Sequence, residues 1–204
     1  MYIHPANLET DSEKLVDFMQ THPFATLITQ QGGLHAVHIP IVTEFNGKTV
    51  TLSSHVAKAN PQWRAFGGEA LLMFGGPHAY ISPTLYQKEE SVPTWVYVAV
   101  HAYGVPEAVH FDEEPERALA LMDKLIRQSE PSYAAQWAGL SETYRVKMMR
   151  AVVSFELRVE RLEGSYKLDQ HKSKADKENV TKALLEHPAT TEVGGMMLEQ
   201  LRKT

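Results

Sequence analysis

Cysteine is absent from the 204-residue sequence. Without thiols the chain cannot form disulfides, zinc–thiolate sites or iron–sulfur clusters, and it has no cysteine nucleophile. Any redox chemistry would therefore depend on a bound cofactor. A chain without cysteine also suits a reducing compartment, so we expect the protein to be cytoplasmic.

Long hydrophobic runs are missing as well. No apolar run approaches the roughly 20 residues that a membrane-spanning helix requires. Residues 1–15 carry three acidic residues and one lysine before any apolar stretch, which is unlike a secretory signal. We expect no association with a membrane.

Basic residues are fewer than acidic ones. The chain has 20 Lys and Arg against 25 Asp and Glu, for a net charge of −5. This balance argues against a protein that coats nucleic acid through bulk charge. Residues 143–182 form a weakly basic segment, and such segments are usually solvated faces. DNA is therefore a partner that the net charge does not support.

Glycine-rich nucleotide motifs and histidine-based metal motifs are also missing. The sequence contains no G-x-G-x-x-G, no P-loop and no G-x-S-x-G. Among ten histidines, His35 and His38 have a spacing that suits a helix, but their segment alternates like a strand. We therefore predict no metal site, no Rossmann domain and no hydrolase triad.

The hydrophobic periodicity predicts a series of strands over about 24–111, another strand over 152–162, and helices before, between and after them. A helix begins at the capping-box spacing of Thr10–Glu13 and ends at His22–Pro23. Asn46–Gly47 predicts a hairpin, and Asn60–Pro61 predicts a helix of about two turns. Further strands are expected at 24–29, 34–42, 49–54, 70–74, 78–82, 94–103, 105–111 and 152–162, and further helices at 112–128, 141–149, 174–186 and 192–203. These elements predict a single mainly β domain of the α+β class, with an antiparallel barrel over about 22–162 and a helical tail over about 174–204.

Two groups of residues suggest a phosphorylated, flat ligand. Ser53–Asn60 brings together hydroxyls, an imidazole, a lysine and a helix N-cap, which suits a phosphate. The alternative is that Asn60 only caps a helix and Lys58 is a surface charge. Trp95, Tyr97 and His101 alternate onto one strand face, and the alternative there is ordinary core packing. Taken together, the two groups suggest FMN, which needs no dinucleotide fold.

Longer motifs carry a resemblance to a known family. They are SHVAKANPQW from Ser54 to Trp63, FGGPHAYISP from Phe74 to Pro83, VPTW from Val92 to Trp95, HAYG from His101 to Gly104, and KLDQHKS from Lys167 to Ser173. In this order, over nearly the whole chain, they resemble the PaiB-type family of FMN-binding negative transcriptional regulators. The resemblance implies a split β-barrel related to that of pyridoxamine-phosphate oxidase. It also implies a homodimer with two FMN sites at the subunit interface, each lined by both chains.

The resemblance also implies a set of cofactor-binding residues. His55, Lys58 and Asn60 would surround the phosphate, with Ser54 in the same motif. The flavin would be lined by Tyr80, Ser82, Thr94 and Trp95, and Lys167, Gln170 and Lys172 would come from the C-terminal part. Val96, Asp169 and His171 depart from the family pattern, and we expect these departures to weaken FMN binding.

Three functions follow as alternatives. The first is an FMN-binding negative transcriptional regulator of the PaiB type, and the second is a flavin-dependent oxidoreductase acting on a small molecule. The third is a flavin store or sensor without turnover. No residue stands out as a catalytic acid or base, although His78 or His101 could serve if either faces the flavin. The fold alone does not distinguish these functions.

Overall fold

The computed structural model describes residues 1–202 and contains two antiparallel sheets and six α-helices. The strands are β1 (Leu8–Glu9), β2 (Phe24–Gln30), β3 (Leu34–Pro40), β4 (Val42–Phe45), β5 (Val50–Ala57), β6 (Ala70–Ile81), β7 (Thr94–Gly104), β8 (Pro106–Val109), β9 (Val152–Arg158) and β10 (Arg161–Lys167). The helices are α1 (Ser12–Thr21), α2 (Pro115–Ser129), α3 (Tyr133–Gly139), α4 (Glu142–Arg150), α5 (Lys174–Leu185) and α6 (Thr191–Arg202). Short 3-10 helices cover Pro5–Asn7, Pro61–Ala65 and Pro83–Leu85. Position 203, where the sequence predicts the end of the last helix, and position 204, the end of the predicted tail, lie outside the described residues.

The strand order gives a six-stranded sheet, β1-β10-β7-β6-β2-β3, and a four-stranded sheet, β4-β5-β9-β8. Residues divide into two compact units, one of 1–10, 75–100 and 163–202, and one of 11–74 and 101–162. We call these the first unit and the second unit. The prediction of a single domain stays a prediction.

The second unit has an aliphatic and aromatic core. Leu27, Leu52, Phe74 and Phe155 are among its largest fully buried side chains. Helix α1 begins at Asp11, whose carboxylate accepts hydrogen bonds from the N–H groups of Glu13 and Lys14. Its apolar face of Leu15, Val16, Phe18 and Met19 is buried, and Asp11 rather than Thr10 is the N-cap.

The first unit combines strand residues with the two C-terminal helices. Val96, Val98 and Val100 on β7 are buried, and so are Val180 on α5 and Met197 on α6. The three valines repeat every two residues along the strand and therefore share one face. Burial of this kind stabilises the folded chain by about 25 cal/mol for each Å² of apolar surface removed from water.

Several of the predicted strands have different limits in the structure. The sequence predicts one strand over Val152–Leu162, but β9 ends at Arg158 and β10 begins at Arg161, in the other sheet. Conversely, β6 runs without a break through Gly75, Gly76 and Pro77, where the sequence predicts an interruption.

Candidate functional site

Strand β7 separates two kinds of side chain on its two faces. Val96, Val98 and Val100 on one face are at most 1% exposed, whereas Trp95 on the other is 53% exposed. Tyr97 is half-buried on the same face as Trp95. Successive side chains of a strand point to opposite faces, so the valines form the core face. The aromatic face is therefore not the core, and its side chains can contact a ligand.

Val96 lies on the core face of β7. Its side chain is fully buried. A valine there contributes apolar burial and does not point toward the face that carries Trp95. The expectation that Val96 weakens FMN binding stays a prediction.

Three aromatic rings lie together on β6 and β7. The Tyr80 and Trp95 ring centroids are 5.9 Å apart with an interplanar angle of 68°, and the His78 and Trp95 centroids are 6.1 Å apart. Tyr80 is 53% exposed, and His78 is exposed as well. Exposed aromatic clusters commonly mark ligand or partner sites. Two of the predicted flavin-lining residues, Tyr80 and Trp95, are therefore neighbours.

Lys167 on β10 reaches the start of β7. Its Nζ donates a hydrogen bond to the Thr94 Oγ1 at 2.8 Å, and it lies 5.8 Å from the centroid of the Tyr97 ring. Thr94 and Lys167, both predicted to bind the cofactor, thus form a direct contact. Because threonine is uncharged, the bond orients the ammonium group without neutralising it.

The turn after β10 uses the side chain of Gln170 for its own structure. The Gln170 Oε1 accepts a hydrogen bond from the Leu168 N–H at 2.9 Å, and its Nε2 donates to the Tyr166 carbonyl. Lys172 lies over the Tyr86 ring, with its Nζ 3.8 Å from the centroid. Neither side chain contacts the predicted residues on β6 and β7 through these interactions, and their cofactor-binding roles stay predictions.

Asp169 in the same turn is buried and has a left-handed backbone with φ of 56°. The Tyr86 hydroxyl donates a 2.8 Å hydrogen bond to the Asp169 Oδ2. Burial and, secondly, this bond to Asp169 raise the pKa of Tyr86. The carboxylate of Asp169 is thus part of the internal structure of the turn.

Ser82 caps the short 3-10 helix Pro83–Leu85. Its Oγ accepts a hydrogen bond from the Thr84 N–H at 3.3 Å and lies 2.8 Å from the Thr84 Oγ1. The side chain is half-buried. Capping is a sufficient structural reason for serine at this position.

The predicted phosphate-binding residues belong to the second unit, and two of them point in different directions. Ser54 is fully buried, and its Oγ donates to the Pro40 carbonyl at 2.5 Å. His55, the next residue on β5, is half-buried, and its Nδ1 has no hydrogen-bond partner among the described residues. Burial lowers the pKa of His55, so the imidazole is neutral at neutral pH. His55 can therefore donate or accept a hydrogen bond but does not supply a positive charge there.

Lys58 and Asn60 follow the end of β5. Lys58 is exposed, and Asn60 accepts a hydrogen bond from the Gln62 N–H at 3.0 Å. The predicted helix of about two turns is present as a 3-10 helix of five residues, Pro61–Ala65, with Asn60 as its N-cap. Its first N–H groups are not open to a phosphate, since Pro61 has none and Asn60 occupies that of Gln62. Lys58 is the positive charge of this group.

A cavity of about 550 Å³ lies in the first unit. Its lining residues come from the N-terminal segment, β7, β10 and the following turn: Tyr2, His4, Asn7, Tyr97, Ser165, Lys167 and His171. Only Lys167 belongs to the predicted binding set. Tyr97 could have been added to that set from the sequence, because it follows Trp95 by two residues and therefore shares its strand face. The N-terminal residues could not be placed from periodicity, since their position depends on the pairing of β1 with β10.

The described residues form neither a metal-binding cluster nor a membrane-spanning helix. Within residues 1–202, no group of three or more His, Asp or Glu side chains lies close enough to hold a metal ion. Over the same residues, every helix is too short or too polar to span a bilayer.

Comparison with known proteins gives matches in sequence and in fold. The chain is 33% identical over 208 residues to the protein "Protease synthase and sporulation protein PAI 2" of Bacillus subtilis, with 100% of this chain and 99% of that protein covered. In fold it is similar to the FAD and heme binding protein from Mycobacterium smegmatis, with a TM-score of 0.56, 21% identity, and 79% and 73% of the two chains covered. A conserved hypothetical protein from Mycobacterium tuberculosis has a TM-score of 0.56 at 14% identity, with 85% and 94% covered.

The strand order and these likenesses in fold define a split-barrel protein of the α+β class, as the sequence predicts. A family model described as "Putative FMN-binding domain" matches residues 1–161. The chain belongs to this FMN-binding family and is of the PaiB type. The prediction of FMN as the cofactor is confirmed by this membership.

Proposed function

We propose that the protein binds FMN through the aromatic face of β6 and β7 and acts as a negative transcriptional regulator of the PaiB type. The observation that supports this most is the exposure of Trp95 and Tyr80 beside a strand whose other face is fully buried. The side chains present fit a flavin: aromatic rings can pack on its flat ring system, and Thr94 and Lys167 can hydrogen-bond to its edge. When bound, FMN supplies an electron-accepting ring system.

A second group of residues is proposed to bind the phosphate. Lys58 supplies the charge, and His55 supplies an N–H or a lone pair from a neutral imidazole. Asn60 and Ser54 already use their side chains in capping and core hydrogen bonds, so we expect them to contribute less than Lys58. Tyr80, Ser82, Gln170 and Lys172 complete the proposed set, with Tyr80 the most exposed of these four.

Flavin titration tests the cofactor-binding residues. We expect purified protein mixed with FMN to retain flavin absorbance through desalting. Trp95→Ala, Lys167→Met and Lys58→Ala should each raise the Kd for FMN about tenfold or more, because each removes a stacking or charged contact worth on the order of 1.4 kcal/mol. Lys88→Met, which removes an exposed charge of the first unit outside the proposed set, is the matched control. Loss of flavin on desalting, or equal affinity in all four variants, would falsify this assignment.

The regulatory role draws on the Bacillus subtilis relative, whose name refers to protease synthesis and sporulation. If regulation is by direct binding, a gel shift on upstream DNA should weaken steeply as salt rises. No shift at low salt would rule out direct DNA binding. In that case regulation by this net-negative chain would have to act through another molecule.

A flavin-dependent oxidoreductase is the second candidate, and the cavity beside Lys167 favours it. His78, exposed next to Trp95, is the better placed of the two candidate acid–base histidines. His101 lies on β7 with its Nδ1 3.5 Å from the Tyr103 hydroxyl. NAD(P)H oxidation by the FMN-loaded protein, measured with and without oxygen, tests this activity. A third function, a flavin store or sensor, predicts retained FMN with no turnover in either condition.

A homodimer with FMN at the subunit interface, a cytoplasmic location and a single functional domain complete the proposal. The exposed aromatic rings of Tyr80 and Trp95 are consistent with a surface that is covered when a flavin or a second chain binds. Cell fractionation tests the location.

A further inference from the structure

The wall of the cavity in the first unit is fixed by contacts at both ends of the N-terminal segment. Leu8 pairs with Ser165 and Glu9 with Gly164, which attaches β1 to β10. At the other end, the Met1 ammonium group pairs with the Glu163 carboxylate. The segment of residues 2–7 is therefore attached to β10 at both ends, and its Tyr2, His4 and Asn7 line the cavity.

The cavity is rich in hydrogen-bond donors and has no acidic lining residue within residues 1–202. The Lys167 ammonium donates one hydrogen bond, to Thr94, and keeps two N–H groups for a ligand. The lining also contains two imidazoles, those of His4 and His171. An ammonium group without a carboxylate in the same lining favours an anion.

The tautomer of His4 adds a donor to this set. The Ala6 N–H donates to the His4 Nδ1 at 3.2 Å, so Nδ1 is an acceptor. In a neutral imidazole the proton then resides on Nε2, which becomes a donor.

The Tyr97 ring gives the cavity a flat apolar wall close to its charge. Lys167 Nζ lies 5.8 Å from the Tyr97 centroid, within the range of a cation–π contact. A planar ligand can pack on Tyr97 while its anionic group meets Lys167. The volume of about 550 Å³ lies within the roughly 300–1,000 Å³ typical of small-molecule sites.

We infer that this cavity binds a small aromatic anion, carrying a carboxylate or a phosphate, as the substrate or effector of the flavin protein. The inference rests on the proposed function in one respect: Lys167 is shared between the cavity and the proposed flavin-binding set. None of the other six lining residues is in the proposed flavin-binding set, although Tyr97 lies on the same face of β7 as Trp95.

Calorimetric titration of the full chain tests the inference, with and without FMN. The probes are benzoate, phenyl phosphate, the uncharged ring benzamide and the ringless anion acetate. We expect benzoate or phenyl phosphate to bind at least tenfold more tightly than benzamide and acetate, and the tighter of the two identifies the anionic group. Lys167→Met should abolish the preference over benzamide, and His4→Ala should weaken the aromatic anion several-fold. Lys88→Met should leave all four affinities unchanged.

FMN binding is followed by flavin fluorescence in the same samples. Failure of the proposed function can then be distinguished from failure of the inferred anion site. If FMN does not bind but the preference for aromatic anions persists, the proposed function fails, while the cavity remains a site for an aromatic anion. If benzoate and FMN displace each other one for one, the cavity is part of the flavin site and a separate ligand site is overturned. Equal affinity for charged and uncharged rings also overturns the inference.

Discussion

At the scale of single residues, Asp169 shows how a buried carboxylate is held in place. It is 1% exposed, and the Tyr86 hydroxyl donates to its Oδ2, while its Oδ1 has no hydrogen-bond partner among the described residues. Lys172 lies over the ring of the same tyrosine. The turn that follows Lys167 and contains His171 is therefore held in place by the contacts of Tyr86 with Asp169 and Lys172.

Tyr86→Phe should destabilise the protein by about 1–3 kcal/mol, because it leaves the second oxygen of a buried carboxylate without a donor. Urea unfolding measures the change in free energy. Tyr144→Phe removes a hydroxyl from an exposed tyrosine and should change stability by less than about 0.5 kcal/mol. In an Asp169→Asn background the effect of Tyr86→Phe should become smaller. An equal loss in both backgrounds would show that the hydrogen bond is not the cause.

His55 makes stability depend on pH. Burial lowers its pKa from the ordinary 6.5, so the unfolded chain takes up a proton at a pH where the folded chain does not. The stability that comes from neutral His55 is complete above about pH 6.5 and is lost as the pH falls from there toward the folded-state pKa. We expect His55→Gln to flatten the decline in unfolding free energy between about pH 6.5 and 5.

Urea unfolding at several pH values measures this slope, and His187→Gln, at an exposed histidine, is the matched control. A slope that His55→Gln leaves unaltered would contradict the role assigned to burial.

At the scale of elements, α5 and α6 pack through a glycine. A Cβ added at Gly194 would lie 3.1 Å from the Leu184 Cβ and 3.2 Å from the Leu184 carbonyl carbon. The neighbouring Gly195 has no atom within 4 Å of such a Cβ. Two adjacent glycines of one helix thus differ in the space around them.

Gly194→Ala should therefore destabilise the protein by about 1–3 kcal/mol, because it forces α6 away from Leu184. Gly195→Ala should stabilise it by up to about 1 kcal/mol through helix propensity. Thermal unfolding of the two variants, which have the same composition, provides the measurement. Shifts of the same sign in both would disprove close packing at Gly194.

The sequence predicts those elements whose ends are marked by local chemistry. Helix α1 follows from its N-cap and its apolar face, and the hairpin follows from Asn46–Gly47, where Gly47 has φ of 82° and Asn46 accepts hydrogen bonds from the next turn residues. The division between β9 and β10 is not visible in this way, because Val159–Glu160 contains no turn residue and the change of sheet depends on distant strands.

The same distinction applies to the candidate site. Alternation along β7 predicts that Trp95 and Tyr97 share a face, whereas the identity of the buried face requires the packed structure. Tyr2, His4 and Asn7 reach the cavity through a pairing of β1 with β10 that joins residues more than 150 positions apart. The 3-10 conformation of Pro61–Ala65 likewise depends on tertiary contacts, because Gln62 is buried and donates a hydrogen bond to the Leu27 carbonyl.

At the scale of the whole molecule, the family membership leads to an expectation about oligomeric state. FMN-loaded protein should elute as a species of twice the 22.9 kDa chain mass, as measured by light scattering. Because FMN at an interface would bind the dimer but not the monomer, loading should lower the concentration at which the dimer dissociates. Diluting the loaded and flavin-free forms side by side supplies the control. A monomer with FMN bound would contradict the proposed interface site.

The two faces of β7 also have a consequence for protein engineering. Random libraries at Trp95 and Tyr97 would vary the proposed ligand-binding surface while Val96 and Val98 maintain the fold. Most members of such a library should express as folded protein, since exposed and half-buried positions tolerate exchange better than a packed core does. The strand is thus a natural starting point for directed evolution of new ligand specificities.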